Sequence, residues 1–229
     1  MRRARCAAIA IRQFSALTHF MRLILASTSP RRREILALLG LPFEIIAPPF
    51  EERVAPHLSI ADEVLDFAFG KAESVARSHP DALVIGSDTM IAVGSEKLGK
   101  PRDRDDAQRM LVGLSGKTHE IHTAVAMLDG AGGAGLRLVE RVLVEMRRCT
   151  EREIDSYLDC NESLDKAGGY SIQGQGAELI VRISGDYLAA VGMPLKPIAE
   201  YLTNRGIALR EHVELLYAKK PFLNWQRFS

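Results

Sequence analysis

The chain has 229 residues, 47% of them hydrophobic and 26% charged, which suits a globular protein with a continuous buried core. Thirty Lys+Arg against 29 Asp+Glu leave a formal net charge of +1, so no global field holds it on nucleic acid or an anionic membrane, and anion binding must come from local clustering. Apolar runs fall short of the roughly 20 residues that cross a bilayer. Cys6, Cys149 and Cys160, without C-x-x-C spacing, offer no disulfide or zinc framework and suit a reducing compartment.

Residues 1–21 carry Arg2, Arg3, Arg5 and Arg12 and no acid. The composition is that of a transit peptide or short secretory leader, yet Arg22 to Ala26 already reads as a first strand. The stretch is expected to be an extension outside the fold, or a misplaced start, and a cytoplasmic location follows from that reading. From Leu23 onward, short β-rich runs alternate with helical periodicity, the pattern of an α/β protein. Strand Leu23–Ala26 is followed by a helix whose N-cap is Ser29 and whose first residue is Pro30, running through Leu39 and closed by Gly40. A second strand spans Phe43–Ala47. Ser59 with Asp62 resembles a capping box for a helix from Ile60 to about Ser78. Leu83–Gly86 returns to the core, with Met90–Val93 as its possible extension, and Asp103 caps a helix through Leu114.

Thr118–Leu128 and Leu136–Met146 read as strands paired across Gly130–Gly135. Thr150 and Glu153 form a capping box for a helix to about Cys160. A glycine-rich segment, Gly168 to Gly176, precedes the apolar run Glu178–Ile183, and a last helix begins near Pro194 and stops at Gly206. The expected organisation is one domain over residues 22–206, with a tail at 207–229 that shows no strong pattern. No internal repeat is present.

Three fragments imitate known signatures. The GxGxxG of Gly130–Gly135 is followed by a strand, so it is expected to be a hairpin connection rather than a dinucleotide loop. Gly94 to Lys100 begins like a P-loop, but Pro101 stands where a Ser or Thr would hold the metal. His119 and His122, three apart on a strand, face opposite sides and are expected to be ordinary strand histidines rather than zinc ligands.

Two features point to chemistry. Arg31, Arg32 and Arg33 lie on the first turn of a helix, where the helix dipole already places positive charge. A bound anion relieves that conflict, and free N–H groups, the Ser27 and Ser29 hydroxyls and the guanidiniums together make a phosphate cradle. A solvated basic turn has the same composition, and the turn alone does not separate the two. Strand Leu83–Gly86 runs into Ser87-Asp88-Thr89, placing a carboxylate beyond a strand's carboxyl end, and Glu51-Glu52 follow the second strand. Acids from two strand ends opposite basic groups suit a magnesium-dependent phosphoryl site, with Asp88 as a mere capping residue as the alternative.

At these residues the chain resembles the Maf-like nucleotide pyrophosphatases. The segment from Ala26 to Leu36 looks like the family's opening signature. Glu51-Glu52, Lys71-Ala72, Gly86 to Thr89, Gly99-Lys100-Pro101, Leu114 to His119, Gly169 to Gly174 and Val191 to Leu195 follow in the family's order, over roughly residues 22–206. The resemblance implies a mixed, curved central sheet with flanking helices and two lobes around a deep cleft, as in inosine-triphosphatase-like proteins, often dimeric. It implies attack of water on the α-phosphorus of a nucleoside triphosphate, with Asp88 as proton acceptor. Glu52 and Asp88 would hold a divalent cation, Mg or Mn. Arg32, Lys71 and Lys100 would neutralise the triphosphate, and Ser27 and Ser29 would position it.

Arg31, Thr89 and Gln173 resemble the branch acting on dTTP and UTP, and an amide at Gln173 can both donate to and accept from a pyrimidine edge. The expected substrate is therefore one of these or a modified pyrimidine nucleotide. The alternatives are 7-methyl-GTP or a purine triphosphate, or a non-catalytic nucleotide-binding regulator of cell division. Glu51 in place of the usual aspartate, and Ala189 where asparagine is often found, depart from the family pattern. The expected partner is the nucleotide alone, without nucleic acid or membrane, in a homodimer.

Overall fold

The computed structural model describes residues 21–55, 57–130 and 135–228. The residues before Met21 and the tip of the loop between Gly130 and Gly135, with the expectations placed on them, lie outside the described residues. Seven strands form one mixed sheet: β1 (Arg22–Ala26), β2 (Glu44–Ile46), β3 (Ala82–Val93), β4 (Glu96–Leu98), β5 (Thr118–Asp129), β6 (Leu136–Met146) and β7 (Ile180–Ser184). The order is β2-β1-β3-β5-β6-β7, with β4 on the free flank of β3. The β2-β1-β3 part is parallel and every other pairing is antiparallel. The α/β class and mixed sheet expected from the sequence are what the structure contains.

Alternation along the strands splits the apolar residues between two faces. Leu23, Leu25, Leu83, Ile85, Val125 and Met127 face a large core. It is shared with α1 (Pro30–Ala37), α3 (Arg104–Leu114), α4 (Glu151–Leu158), α5 (Tyr187–Val191), α6 (Leu195–Asn204) and α7 (Val213–Lys219). Ile24, Ala26, Val84, Ala124 and Ala126 face α2 (Ile60–Ala76), which contributes Val64, Ala68, Ala72 and Val75. That second core is rich in alanine, which lets α2 lie close on the sheet. A Cβ at Gly86 would meet the Ala68 carbonyl oxygen at 2.1 Å and the Ala72 nitrogen at 2.7 Å, so only glycine permits this approach.

Of the four expected caps three form; Ser29 precedes α1 in extended backbone, but its side chain bonds no N–H of the helix, which is started by Pro30 at its first position. Ser59, Asp103 and Thr150 accept backbone N–H groups three residues on, and Thr150 with Glu153 forms a reciprocal box. Met90–Val93 is not a separate piece: β3 runs unbroken for 12 residues. Gly94-Ser95 then turns tightly into β4, because Val93 pairs with Glu96. This hairpin disposes of the P-loop imitation. Beyond residue 206 the chain forms α7 and a turn at Trp225–Phe228, and Val213, Leu216 and Trp225 are buried in the large core. Among the described residues, no helix is long and apolar enough to cross a membrane.

Candidate active site

The site arises where β1 leaves the sheet. The β1–β3 ladder ends at the Leu25–Ile85 pair, and β4 joins the same flank of β3 only at Ile91. Between them the flank of β3 carries no strand partner among the described residues, and the chain after β1 turns away through Ser27 into α1. A cleft of about 630 Å³ lies over this opening. It is lined by Ser27, Ser29, Arg31, Arg32, Glu52, Lys71, Asp88, Thr89, Lys100 and Gln173, whereas Arg33, grouped with the cradle from the sequence, is exposed on α1 and is not part of the lining. One expectation needs correction. Asp88 is not beyond the end of a strand but inside β3, opposite Ala124 of β5. What ends before it is the parallel partner β1, so the sheet has its topological switch point here while β3 itself continues.

Asp88 points to the α2 face, as do Gly86 and Val84 before it. The close approach at Gly86 brings Lys71, the neighbour of Ala72, to Asp88: Nζ to Oδ1 is 2.5 Å. The same ammonium lies 2.6 Å from Glu52 Oε1. Phe50 sets Glu52 in place by packing on Phe67 and across Gly70, where a Cβ would meet its ring at 2.1 Å. The buried Glu63 carboxylate accepts the Ala55 N–H at 2.7 Å and pairs with Lys97 at 2.5 Å, anchoring the rest of that loop. Burial opposes ionisation of Glu52, but the Lys71 hydrogen bond and charge, with Lys100 and Arg32, outweigh it and hold the carboxyl below its ordinary value. Glu51 takes no part in this cluster and pairs with Arg53 in solvent.

Thr89 points to the opposite face. Its hydroxyl accepts Arg32 Nη2–H at 3.3 Å and lies 3.1 Å from Thr123, its cross-strand partner on β5. Thr123 Oγ1 is 2.8 Å from the Ala189 carbonyl oxygen, which can only accept. The single Thr123 proton therefore goes to Ala189, and Thr89 donates to Thr123. A continuous relay of donors runs from Arg32 through Thr89 and Thr123 into α5. Arg32 Nε donates to the Gly192 carbonyl at 3.1 Å, which also accepts from Ser87 at 3.1 Å. Burial pulls the Arg32 guanidinium below its ordinary value, opposed by Asp88, whose Oδ1 is 3.9 Å away. An arginine starts so high that it stays charged.

The helix N-terminus completes this wall. Ser27 Oγ accepts the Ser29 N–H at 3.1 Å, which braces the turn. The first turn of α1 holds no acid, and Arg31 and Arg32 at its second and third positions have N–H groups without an intrahelical acceptor. Arg31 meets Asp165 across the cleft at 3.4 Å. Lys166 beside Asp165 lines the cleft as well and is missed in the sequence, although it lies two residues before Gly168, where the glycine-rich stretch begins. Thr123 and the Gly192 carbonyl were also missed; neither carries a local signal.

His119 and His122 do face opposite sides. His119 is 1% exposed and bonded to Tyr170 Oη at 2.6 Å, and burial pushes its pKa down to about 4. His122 bonds Glu120 at 2.8 Å. Ala189 is fully buried behind the cleft, with Ala190, Val191 and Gly192 at its wall.

Among the described residues, no cluster of three or more His, Cys, Asp or Glu side chains could by itself enclose a metal. Glu52 and Asp88 nonetheless fit a hard cation of the magnesium type. Such an ion takes one or two carboxylates and completes its shell with water and phosphate oxygens. Lys71 stands between the two acids, so an arriving cation and this ammonium would share the same oxygens.

A cleft at the switch point of a mixed sheet, with paired acids on one face and a helix N-terminus backed by arginine on the other, is an arrangement of an α/β protein whose charges suit a phosphorylated ligand. A model described as "Maf-like protein" matches residues 22–205, and the chain belongs to that family. It is 44% identical over 179 residues to a "dTTP/UTP pyrophosphatase" of Bacillus cytotoxicus, covering 78% of this chain and 93% of that one. It is also 44% identical over 186 residues to a protein of the same name from Bacillus anthracis, covering 81% and 96%. Among solved structures, a nucleoside-triphosphatase / dITP/XTP pyrophosphatase from Mycobacterium abscessus aligns with 16% identity and a TM-score of 0.40, over 82% of this chain and 96% of that one.

Proposed function

We propose that the chain is a nucleoside triphosphate pyrophosphatase that hydrolyses dTTP and UTP to the monophosphate and pyrophosphate. The observation that carries this reading is the Glu52–Lys71–Asp88 cluster facing the N-terminus of α1 across the open flank of β3. The names of the relatives at 44% identity support the choice of substrate. Ser27, Ser29 and the free N–H groups of α1 bind phosphate oxygens, and Arg32, Lys100 and Arg31 oppose their charge. Asp88 accepts the proton of the attacking water as its oxygen bonds to the α-phosphorus. The bond to the bridging oxygen breaks, and pyrophosphate departs with the electron pair.

Lys71 holds the Asp88 carboxylate in place. The two contacts to Lys71 and Arg32 both use Oδ1, so neither engages Oδ2. Glu52 and Asp88 would hold Mg or Mn, which supplies charge neutralisation at the phosphate oxygens. Gln173 offers its amide to the pyrimidine edge. The family resemblance further supports a homodimer acting in the cytoplasm.

Steady-state pyrophosphate release across dTTP, UTP, 7-methyl-GTP and the purine triphosphates, with Mg or Mn and with chelator, tests the reading. The expected result is metal-dependent release with dTTP and UTP preferred. Preference for a purine or for 7-methyl-GTP overturns the substrate choice. Binding without release makes the protein a nucleotide-binding regulator.

A further inference from the structure

The family match ends at residue 205, yet the chain beyond it packs against the segment that carries Gln173 into the cleft. Asn224, in the left-handed backbone region at φ 63°, places its side-chain amide against the segment that carries Gln173. Nδ2 donates to the Ile172 carbonyl at 3.0 Å and to the Gly174 carbonyl at 3.4 Å. The two N–H bonds thus straddle Gln173 on its two sides in the chain. From across the segment, Glu162 accepts the Gln175 N–H at 2.9 Å. Gln173 sits at the junction of the cleft and a second, shallower hollow, whose outer wall is Pro221, Phe222 and Leu223.

The clamp is itself anchored. The Tyr187 hydroxyl donates to the Leu223 carbonyl, and Trp225 is 3% exposed, stacked on Tyr187 at 5.7 Å and edge-on to Tyr217 at 4.9 Å. Tyr187 opens α5, whose Asp186 cap also accepts from the Tyr217 hydroxyl at 2.6 Å. The residues on either side of Asn224 are therefore held on the same helix that receives the Arg32–Thr89–Thr123 relay. Ordering a side chain that reads a base lowers the entropy lost when the base binds, and two bonds to the flanking carbonyls do this without touching the ligand.

We propose that Asn224 is a positioning residue for nucleobase recognition, holding Gln173 at the pyrimidine edge through the Ile172 and Gly174 carbonyls. The proposal rests on the pyrophosphatase reading and on Gln173 as the base-reading side chain. Asn224→Asp keeps shape and backbone preference but turns both donors into acceptors facing carbonyl oxygens. Asn224→Gly, which accepts the left-handed backbone, gives the same comparison should the aspartate fail to fold.

The expected result in full-length protein is a roughly 10-fold rise in KM for dTTP and UTP with kcat little changed, and a smaller gap between pyrimidine and purine triphosphates. Hydrogen–deuterium exchange over residues 170–176 should quicken in parallel, a readout independent of turnover. Gln173→Ala is measured beside it. If Gln173→Ala shifts the nucleotide preference while both Asn224 variants keep wild-type KM, preference and exchange, the positioning role is overturned and the base-reading role stands. If Gln173→Ala leaves the preference untouched, the base-reading role falls and takes this proposal with it. Wild-type protein that releases no pyrophosphate from any triphosphate overturns the function itself.

Discussion

Lys71 Nζ and Asp88 Oδ1 stand 2.5 Å apart, and each side chain is only 10% exposed. Two opposite charges so withdrawn from water interact far more strongly than a surface pair, and removing one leaves the other without its nearest partner. Replacing Asp88 by asparagine keeps volume and polarity, and Lys71 keeps Glu52 as a partner. Asp88→Asn is therefore expected to lower kcat by at least about 100-fold with the cooperative thermal transition retained. Pyrophosphate release and a melting curve on the same preparation check this, and undiminished turnover removes Asp88 from the proton-acceptor role.

The pairing depends on a glycine two residues before the aspartate. Gly86→Ala forces a Cβ to within 2.1 Å of the Ala68 carbonyl oxygen, so α2 must move away from β3. The expected cost is about 1–3 kcal/mol of unfolding free energy, with activity falling because Lys71 travels with α2. Gly113→Ala, in α3, places its Cβ in open space and should instead stabilise by roughly 0.5–1 kcal/mol through helix propensity. Urea titrations of the two variants should therefore move in opposite directions. Equal shifts would mean that α2 is not held by contact at Gly86.

Thr123 touches the cleft only through Thr89. Thr123→Val preserves shape but interrupts the relay from Arg32 into α5 and leaves Thr89 without its acceptor. Arg32 then loses orientation, and kcat/KM should fall roughly 10-fold for every triphosphate alike, because Arg32 addresses phosphate rather than base. A change confined to one base would contradict this division of labour.

The sequence disclosed local features and hid those that depend on distant segments. Ser29-Pro30, Thr150 with Glu153, and the Ser87-Asp88-Thr89 insertion in an apolar run carry their physical reason within a few residues. Asp88 was nevertheless assigned to a strand end, since a carboxylate in mid-strand is costly until Lys71, on another element, is known to meet it. A turn beginning at Gly94 is legible, but β4 after it is not, because its 3 residues are too few to show alternation. Helix α5 spans five residues and α7 seven, too short for periodicity to register, and the apolar Phe222 to Trp225 stretch reads equally as docked or disordered until packing buries Trp225 in the large core. Thr123, Lys166 and Asn224 reach the cleft region from β5, from the segment before Gly168 and from the tail, and only tertiary packing brings them together.

His119 supplies a pH signature of the fold rather than of the chemistry. It is buried against Tyr170, and burial holds its folded pKa near 4, whereas an unfolded chain titrates at about 6.5. Between these values the unfolded state binds more protons than the folded state, so unfolding free energy falls as pH falls through that window. Above about pH 6.5 both states are neutral and the contribution is flat; below about pH 4 the loss is complete. A shift of this size amounts to roughly 3 kcal/mol at its limit. Carboxylates such as Glu52, held below their ordinary value, add their own loss only once the pH approaches the carboxylate range, so the interval from about 5 to 6.5 belongs mainly to histidine. His119→Gln retains a polar partner for Tyr170 but does not titrate, and its unfolding free energy should be nearly level over that interval while the wild type declines. Urea unfolding at half-unit pH steps measures the difference, and parallel curves for the two proteins would show that His119 is protonated as readily in the fold as outside it.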